Sequence, residues 1–332
     1  ATTYRAAGGE RPVLLLHDES HGAGLIAMTA RFGRGLPVNV IPLSLYSVFQ
    51  VGHEIFAGAF ANGFERIVVV APPDKAHDLP ALESQVGLMR VFLSNLGYGD
   101  DRIAVVVERE PDKLEEFLYG LPALEPIAPR AFAAVGGKRD IARLALSALN
   151  SNAPEPRDVI ELPASAPYGR LAIDVENCTV CLACVGACPV GALSDDEERP
   201  RLSFNESACV QCGLCVATCP EKVIALEPRY NFAADVLEPV VIKEEEPFAC
   251  ITCGKPFGTK STVERIIAKL EGRHAMFQNS AQIDIIKMCD DCRVIAVTDG
   301  GGDPFKLGER PKVRTTEDYL MGVVGNDDDD KA

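Results

Sequence analysis

Apolar residues in the first half of the chain come in short unbroken runs, set between longer stretches where they recur every three or four positions. Val13–Leu16, Ile67–Val70 and Ile103–Val107 are runs of the first kind and read as buried strands. Val38–Leu43 is rich in β-branched residues and reads as a strand interrupted by Pro42. Between them, Gly22–Phe32, His53–Ala61 and Leu79–Leu96 read as helices; the last has apolar residues at 79, 82, 86, 89, 93 and 96 and stops at Gly97. Pro111–Tyr119 is a helix opened by proline, and Lys138–Leu149 a last helix. Continuous apolar strands separated by helices predict a parallel sheet covered on both faces.

After residue 150 the periodicity stops. Residues 151–170 are rich in proline and small side chains and read as a linker. Cysteine then sets the pattern. The first run is Cys178-x2-Cys181-x2-Cys184-x3-Cys188-Pro189, and the second is Cys209-x2-Cys212-x2-Cys215-x3-Cys219-Pro220. Three thiols spaced by three let one short loop wrap a face of a metal cage, with its N–H groups turned toward sulfur. The residues between them, such as Val180, Leu182, Val210 and Leu214, are mostly small or apolar and keep water away.

Each run resembles the bacterial two-cluster ferredoxin signature, in which the fourth cysteine ligates the other cluster. The resemblance implies two [4Fe-4S] clusters. Cluster A would take Cys178, Cys181, Cys184 and Cys219, and cluster B Cys209, Cys212, Cys215 and Cys188. It also implies a pseudo-two-fold fold of two short hairpins and two short helices over residues 171–228. The segment Ser194–Pro200 between the runs is an acidic turn, either a solvated loop or a docking surface.

Residues 229–248 read as a second linker. A different pattern follows, Cys250-x2-Cys253-Gly254 and Cys289-x2-Cys292. Paired knuckles of this kind bind tetrahedral zinc in a closed, structural site. The 35 residues between them exceed the usual ribbon spacing and hold a helix, Thr262–Leu270, that Ser261 or Thr262 can cap. Zinc is the expected metal, with a third iron–sulfur cluster or a rubredoxin-like iron as alternatives. Residues 300–332 are read as a tail.

The chain has 332 residues, 47% hydrophobic, with 33 basic and 48 acidic side chains for a net charge of −15. That balance argues against nucleic acid or an anionic membrane as partner. All 12 cysteines fall in these clustered patterns, which points to a reducing, cytoplasmic setting. No apolar run reaches transmembrane length and no signal peptide is visible. The chain starts Ala1-Thr2-Thr3-Tyr4 without Met, so an upstream segment can be missing, and Asp327–Lys331 matches an enterokinase site. Gly22-Ala-Gly24-x-x-Ala27 superficially matches a dinucleotide fingerprint, but Asp18 and Glu19 would repel a pyrophosphate and no acid lies between Glu19 and Glu54 to bind a ribose. His17 and His21 read as partly exposed residues at a strand–loop junction, with a ligand or catalytic role as the alternative.

Residues 11–120 resemble the delta subunit of methyl-viologen-reducing hydrogenase, which passes electrons to heterodisulfide reductase. The resemblance rests on Leu14 to Gly24, on Gly52-His-Glu-Ile-Phe-Ala-Gly-Ala-Phe-Ala-Asn-Gly63, on Ile67–Val70, and on Leu93-Ser-Asn-Leu-Gly97 before Arg102-Ile103. That family holds a [2Fe-2S] cluster on cysteines of two loops. Here those loops read His17-Asp-Glu-Ser20 and Ala71-Pro-Pro-Asp-Lys75, and no cysteine precedes 178. The fold is implied, the cluster is not.

The sequence thus predicts a multidomain α/β plus α+β protein. It would have a flavodoxin-like parallel domain at 1–150, a two-cluster ferredoxin-like domain, and a small zinc-ribbon-like domain at 249–299. The expected function is electron transfer within or beside a larger oxidoreductase, such as a hydrogenase, formate dehydrogenase or heterodisulfide-reductase-like complex. An iron–sulfur assembly or redox-sensing protein is the alternative. No catalytic constellation is visible.

Overall fold

The structure is a computed structural model, and it describes residues 1–196, 199–273, 277 and 280–299. The expected tail at 300–332 lies outside the described residues. The chain divides into two compact units. The first comprises Ala1–Asp174, Ala183–Ser194 and Ser203–Val240. The second comprises Val175–Leu182, Asp195–Leu202 and the chain from Val241 on.

In the first unit, helix α1 (Thr2–Ala6) precedes a βα alternation: β1 (Val13–Asp18), α2 (Gly22–Phe32), β2 (Val40–Leu45), α3 (His53–Ala61), β3 (Arg66–Val70), α4 (Leu79–Asn95), β4 (Ile103–Val106), α5 (Pro111–Tyr119) and α6 (Lys138–Ser151). The four strands form one parallel sheet in the order β2-β1-β3-β4. These are the first four positions of a 2-1-3-4-5 doubly wound sheet. Side chains of successive strand residues point to opposite faces, and here both faces are buried. Leu14, Leu16, Ile67 and Val69 join one core with Phe56, Phe60, Met89, Phe92 and Leu146 of α3, α4 and α6. Val13, Leu15, Val68 and Val70 join another with Leu25, Leu114 and Leu118 of α2 and α5. This is why these strands read as unbroken apolar runs.

Strand β2 lies two residues later than expected, because Val38 is almost fully exposed and Val40 is the first residue to pair, opposite Val13. Pro42 is accommodated because β2 is an edge strand. The loop after β1 differs from expectation at one histidine. His17 is buried, with Nδ1 3.1 Å from its neighbour's carbonyl, whereas His21 is half-buried as expected, its Nε2 2.8 Å from the Glu108 carbonyl. Asp18 accepts the N–H groups of His21 and Gly22 at 3.0 and 2.7 Å. Its carboxylate therefore occupies the start of α2, where a dinucleotide pyrophosphate would otherwise sit.

The segment 151–170, read as a linker, carries β5 (Val159–Glu161) and the start of β6 (Gly169–Ile173). Both pair antiparallel with β9 (Ile224–Asn231), giving the order β5-β9-β6. The reason is apolar: Ile160, Leu162, Ala166, Tyr168 and Tyr230 continue the core of the parallel sheet. Between them lie α7 (Ala183–Gly186), the β7 (Leu193–Ser194)·β8 (Arg201–Phe204) hairpin, and α8 (Leu214–Thr218). Edge-to-face rings run from Phe92 through Tyr168 and Tyr230 to Phe232, with centroids 4.7–6.4 Å apart.

The second unit contains β10 (Val240–Glu244) from residue 241 on. The antiparallel pair β11 (Pro247–Ala249)·β12 (Pro256–Thr259) follows, then α9 (Lys260–Leu270), α10 (Ser280–Ile286) and α11 (Asp290–Asp299). The segment 229–248 thus carries the end of β9, all of β10 and the start of β11. Helix α9 begins two residues before the expected start because Thr259 is the cap, its Oγ1 accepting the Thr262 N–H.

Burial raises the pKa of Asp18, but the N–H groups of Gly22 and His21 and the Ser20 hydroxyl outweigh it and hold the carboxyl below its usual range. Replacing Asp18 by Ala is expected to lower stability by about 1 kcal/mol near neutral pH. The wild type's advantage is present above the unfolded carboxylate pKa and disappears as pH falls through the lower folded one. Thermal unfolding of both proteins from neutral pH down to about pH 3 checks this; a gap that stays constant in acid would contradict it.

Candidate metal centres

The two cysteine loops share an unusual backbone. Val180 and Gln211, each two residues after the first cysteine of its run, are left-handed at φ +48° and +56°. Leu182 and Gly213, each one residue after the second cysteine, are left-handed at +60° and +78°. A β-branched or bulky side chain seldom adopts this conformation, at a cost of roughly 1–2 kcal/mol per residue. Successive left-handed turns aim N–H groups into one concavity, the geometry of an anion nest.

In the first unit, Cys188, Cys209, Cys212 and Cys215 line one small cavity. Its walls are apolar: Leu171, Leu193, Phe204 and Leu226 are among them. The turn after Cys188 wraps its sulfur, and Ala192 N–H lies 3.2 Å from Sγ. Burial raises the Cys188 thiol, but N–H groups of Leu193, Val190, Ala192 and Gly191 outweigh it and hold the thiol below its ordinary pKa. Cys209 and Cys215 are pushed up, chiefly by burial. Gln211 spans the loop, its Nε2 donating to the Arg170 carbonyl at 3.1 Å and toward Cys209 Sγ at 3.4 Å. Cys212 is exposed, so the cavity meets solvent on that side. Four thiols, apolar walls and inward N–H groups suit an iron–sulfur cluster.

The remaining ferredoxin cysteines are placed as follows. Cys178 and Cys181 lie in the second unit and Cys184 and Cys219 in the first; Cys178 and Cys184 are buried, Cys181 is exposed and Cys219 half-buried. Within the second unit the first loop is held from its backbone. Lys243 Nζ donates to the Cys178 carbonyl at 2.5 Å, and the hydroxyls of Thr259, Ser261 and Thr262 lie 2.8, 3.1 and 2.8 Å from the Thr179 carbonyl.

The sulfurs of Cys250, Cys253, Cys289 and Cys292 all lie within 4.8 Å of one another, with Cys253 and Cys289 at 3.7 Å. No three of the eight ferredoxin cysteines are drawn that close among the described residues. A tetrahedron with metal–sulfur bonds of about 2.3 Å has edges of about 3.8 Å. The C-terminal set therefore fits one ion, and a four-iron cage would have to spread it. The first knuckle turns between β11 and β12: Gly254, left-handed at +74°, donates to the Cys250 carbonyl. The second opens α11, and Cys289 N–H points at Cys250 Sγ, 3.3 Å away. Burial raises the Cys250 thiol, but the N–H groups of Cys253, Cys289 and Thr252 bring it down to about 6. Cys292 is pushed up to about 12 by its hydrogen bond with Cys253 and by burial. The four cysteines form a set that could hold a metal ion.

Residues 170–220 match the family described as a 4Fe-4S dicluster domain. The chain therefore carries a ferredoxin-like iron–sulfur domain joined to a mixed α/β fold with a parallel sheet. No curated protein matches the chain. Among the described residues, no helix is long and apolar enough to cross a membrane.

Several supporting residues are invisible in the sequence. Gln211, Lys243, Thr259 and Arg139 act across 2 to 80 positions, and no local motif marks them. Replacing Cys289 by Ser is expected to remove about one bound metal ion per chain and leave the ferredoxin-type iron in place. Metal analysis with the visible iron–sulfur absorbance checks this; loss of iron in proportion would place Cys289 in a cluster.

Proposed function

We propose that the protein is an electron-transfer component of a larger cytoplasmic oxidoreductase, carrying two [4Fe-4S] clusters and one structural zinc. Cys178, Cys181, Cys184 and Cys219 would hold cluster A, and Cys209, Cys212, Cys215 and Cys188 cluster B. Zinc would sit on Cys250, Cys253, Cys289 and Cys292. The observation that carries the reading is the pair of cysteine runs, with left-handed residues at matching positions of both, inside the segment that matches a dicluster domain.

When bound, such clusters supply reversible one-electron chemistry. The chain's own residues do the rest. Leu171, Leu193, Phe204 and Leu226 would exclude water, the N–H groups around Cys188 would bear on its thiolate charge, and exposed Cys212 would face a docked partner. The parallel sheet suits the resemblance to the hydrogenase delta subunit and would act as a docking scaffold. With Asp18 at the head of α2 and no cysteine in its loops, it has no cofactor of its own in this reading. Hydrogenase, formate dehydrogenase and heterodisulfide-reductase-like complexes are the partners this resemblance favours.

Anaerobically purified protein is expected to contain about eight iron, about eight acid-labile sulfide and about one zinc per chain. Its visible absorbance should bleach and recover reversibly in a redox titration. About twelve iron with no zinc would turn the C-terminal cysteines into a third cluster. Absence of any reversible one-electron couple would overturn the electron-transfer reading.

A further inference from the structure

Helix α6 of the parallel-sheet region inserts one side chain into the second cysteine loop. The Arg139 guanidinium donates from Nε to the Ser207 carbonyl at 2.6 Å, from Nη1 to Pro167 at 2.7 Å, and from Nη2 to Cys209 at 2.6 Å. It lies 4.4 Å from the centre of the Tyr168 ring. All three partners are neutral carbonyls, and among the described residues no carboxylate lies within ion-pair distance of it; Glu54, which lines the same cavity, is 3.6 Å from Lys138. The ring beneath Arg139 is fixed in turn: Tyr168 hydroxyl lies 2.6 Å from His53 Nε2, and His53 Nδ1 2.8 Å from Gln85 Oε1. Burial pushes the Tyr168 phenol up to about 12.

A half-buried guanidinium held only by carbonyls is stabilised further by a nearby anion. Glu54 is taken up by Lys138, and the anion that Arg139 itself adjoins would be the thiolate-bound cluster on Cys209 and its neighbours. The first cysteine loop differs. The cation that reaches its Cys178 carbonyl, Lys243, is paired with Glu245 at 2.9 Å, so its charge is neutralised.

We propose that Arg139 is the fixed counter-ion of cluster B, holding its ligand loop and setting its reduction potential above that of cluster A. Adding an electron makes a cluster more negative, and an unneutralised cation stabilises that state. Electrons would then rest on cluster B, the one against the parallel-sheet region. Arg139 is a positioning residue, acting through the Cys209 backbone and through its field. The inference rests on the two-cluster reading above.

The test is a redox titration followed by EPR, with iron analysis, of wild type, R139Q, R139K and E245Q. The wild type is expected to show two couples. In R139Q one couple should shift about tenfold toward the oxidised form, about 59 mV lower for one electron, and R139K should recover most of it. E245Q, which frees Lys243, should raise the other couple. If R139Q instead loses about half its iron while R139K keeps it, the charge is needed to hold the cluster, which also supports the proposal. Equal losses in both would leave only a packing role and overturn it. So would a fully loaded R139Q with unshifted couples, or E245Q moving the couple that R139Q moves. A wild type without two couples would overturn the two-cluster reading itself.

Discussion

Concentrated thiolate charge has to be buried, and the rest of the structure follows from how that is done. Sulfur held away from water must be solvated by the protein, and around Cys188 and Cys209 the protein does so with N–H groups. Left-handed turns help N–H groups converge on a sulfur, and Val180, Leu182 and Gln211 adopt them against their own preference. That strain is tolerable because the turns are anchored. Pro189 and Pro220 follow the fourth cysteines, β9 holds β6 in register on one side and β5 on the other, and the hydroxyls around Thr179 pin the first loop.

The two kinds of cysteine site solve the charge problem differently. In the C-terminal set the sulfurs crowd within 4.8 Å, a spacing that suits one central cation. In the ferredoxin-like segment the sulfurs stand farther apart, behind apolar walls, and the polar atoms facing Cys188 and Cys209 are hydrogen-bond donors. The parallel-sheet region is no passive neighbour in this. Its core continues into Tyr168 and Tyr230, and its last helix supplies Arg139 to the Cys209 loop.

Much of this was legible in the chain. Helices α2, α3 and α5 fall where composition, proline and periodicity put them, and the strands β1, β3 and β4 where unbroken apolar runs do, because both faces of the sheet are buried. Every metal-candidate cysteine was legible too, since short ligand spacing is itself the signal. What escaped was non-local. Residues 151–170 look like a linker until Ile160 and Tyr168 find a core built from residues 14–149. Arg139 looks like one more charge on an amphipathic helix, and its role depends on a carbonyl 70 positions away. The cap of α9 lies two to three residues before the position the sequence suggests, because Thr259, Ser261 and Thr262 offer the same hydroxyl and only the fold decides among them.

The central claim is that the chain carries two iron–sulfur clusters on crossed sets of cysteines. EPR of the fully reduced protein tests it most directly. Two reduced [4Fe-4S] centres held by interleaved ligands should give a spectrum broadened by mutual spin coupling, integrating to about two spins per chain. A single unbroadened signal of about one spin, or none, would contradict the account.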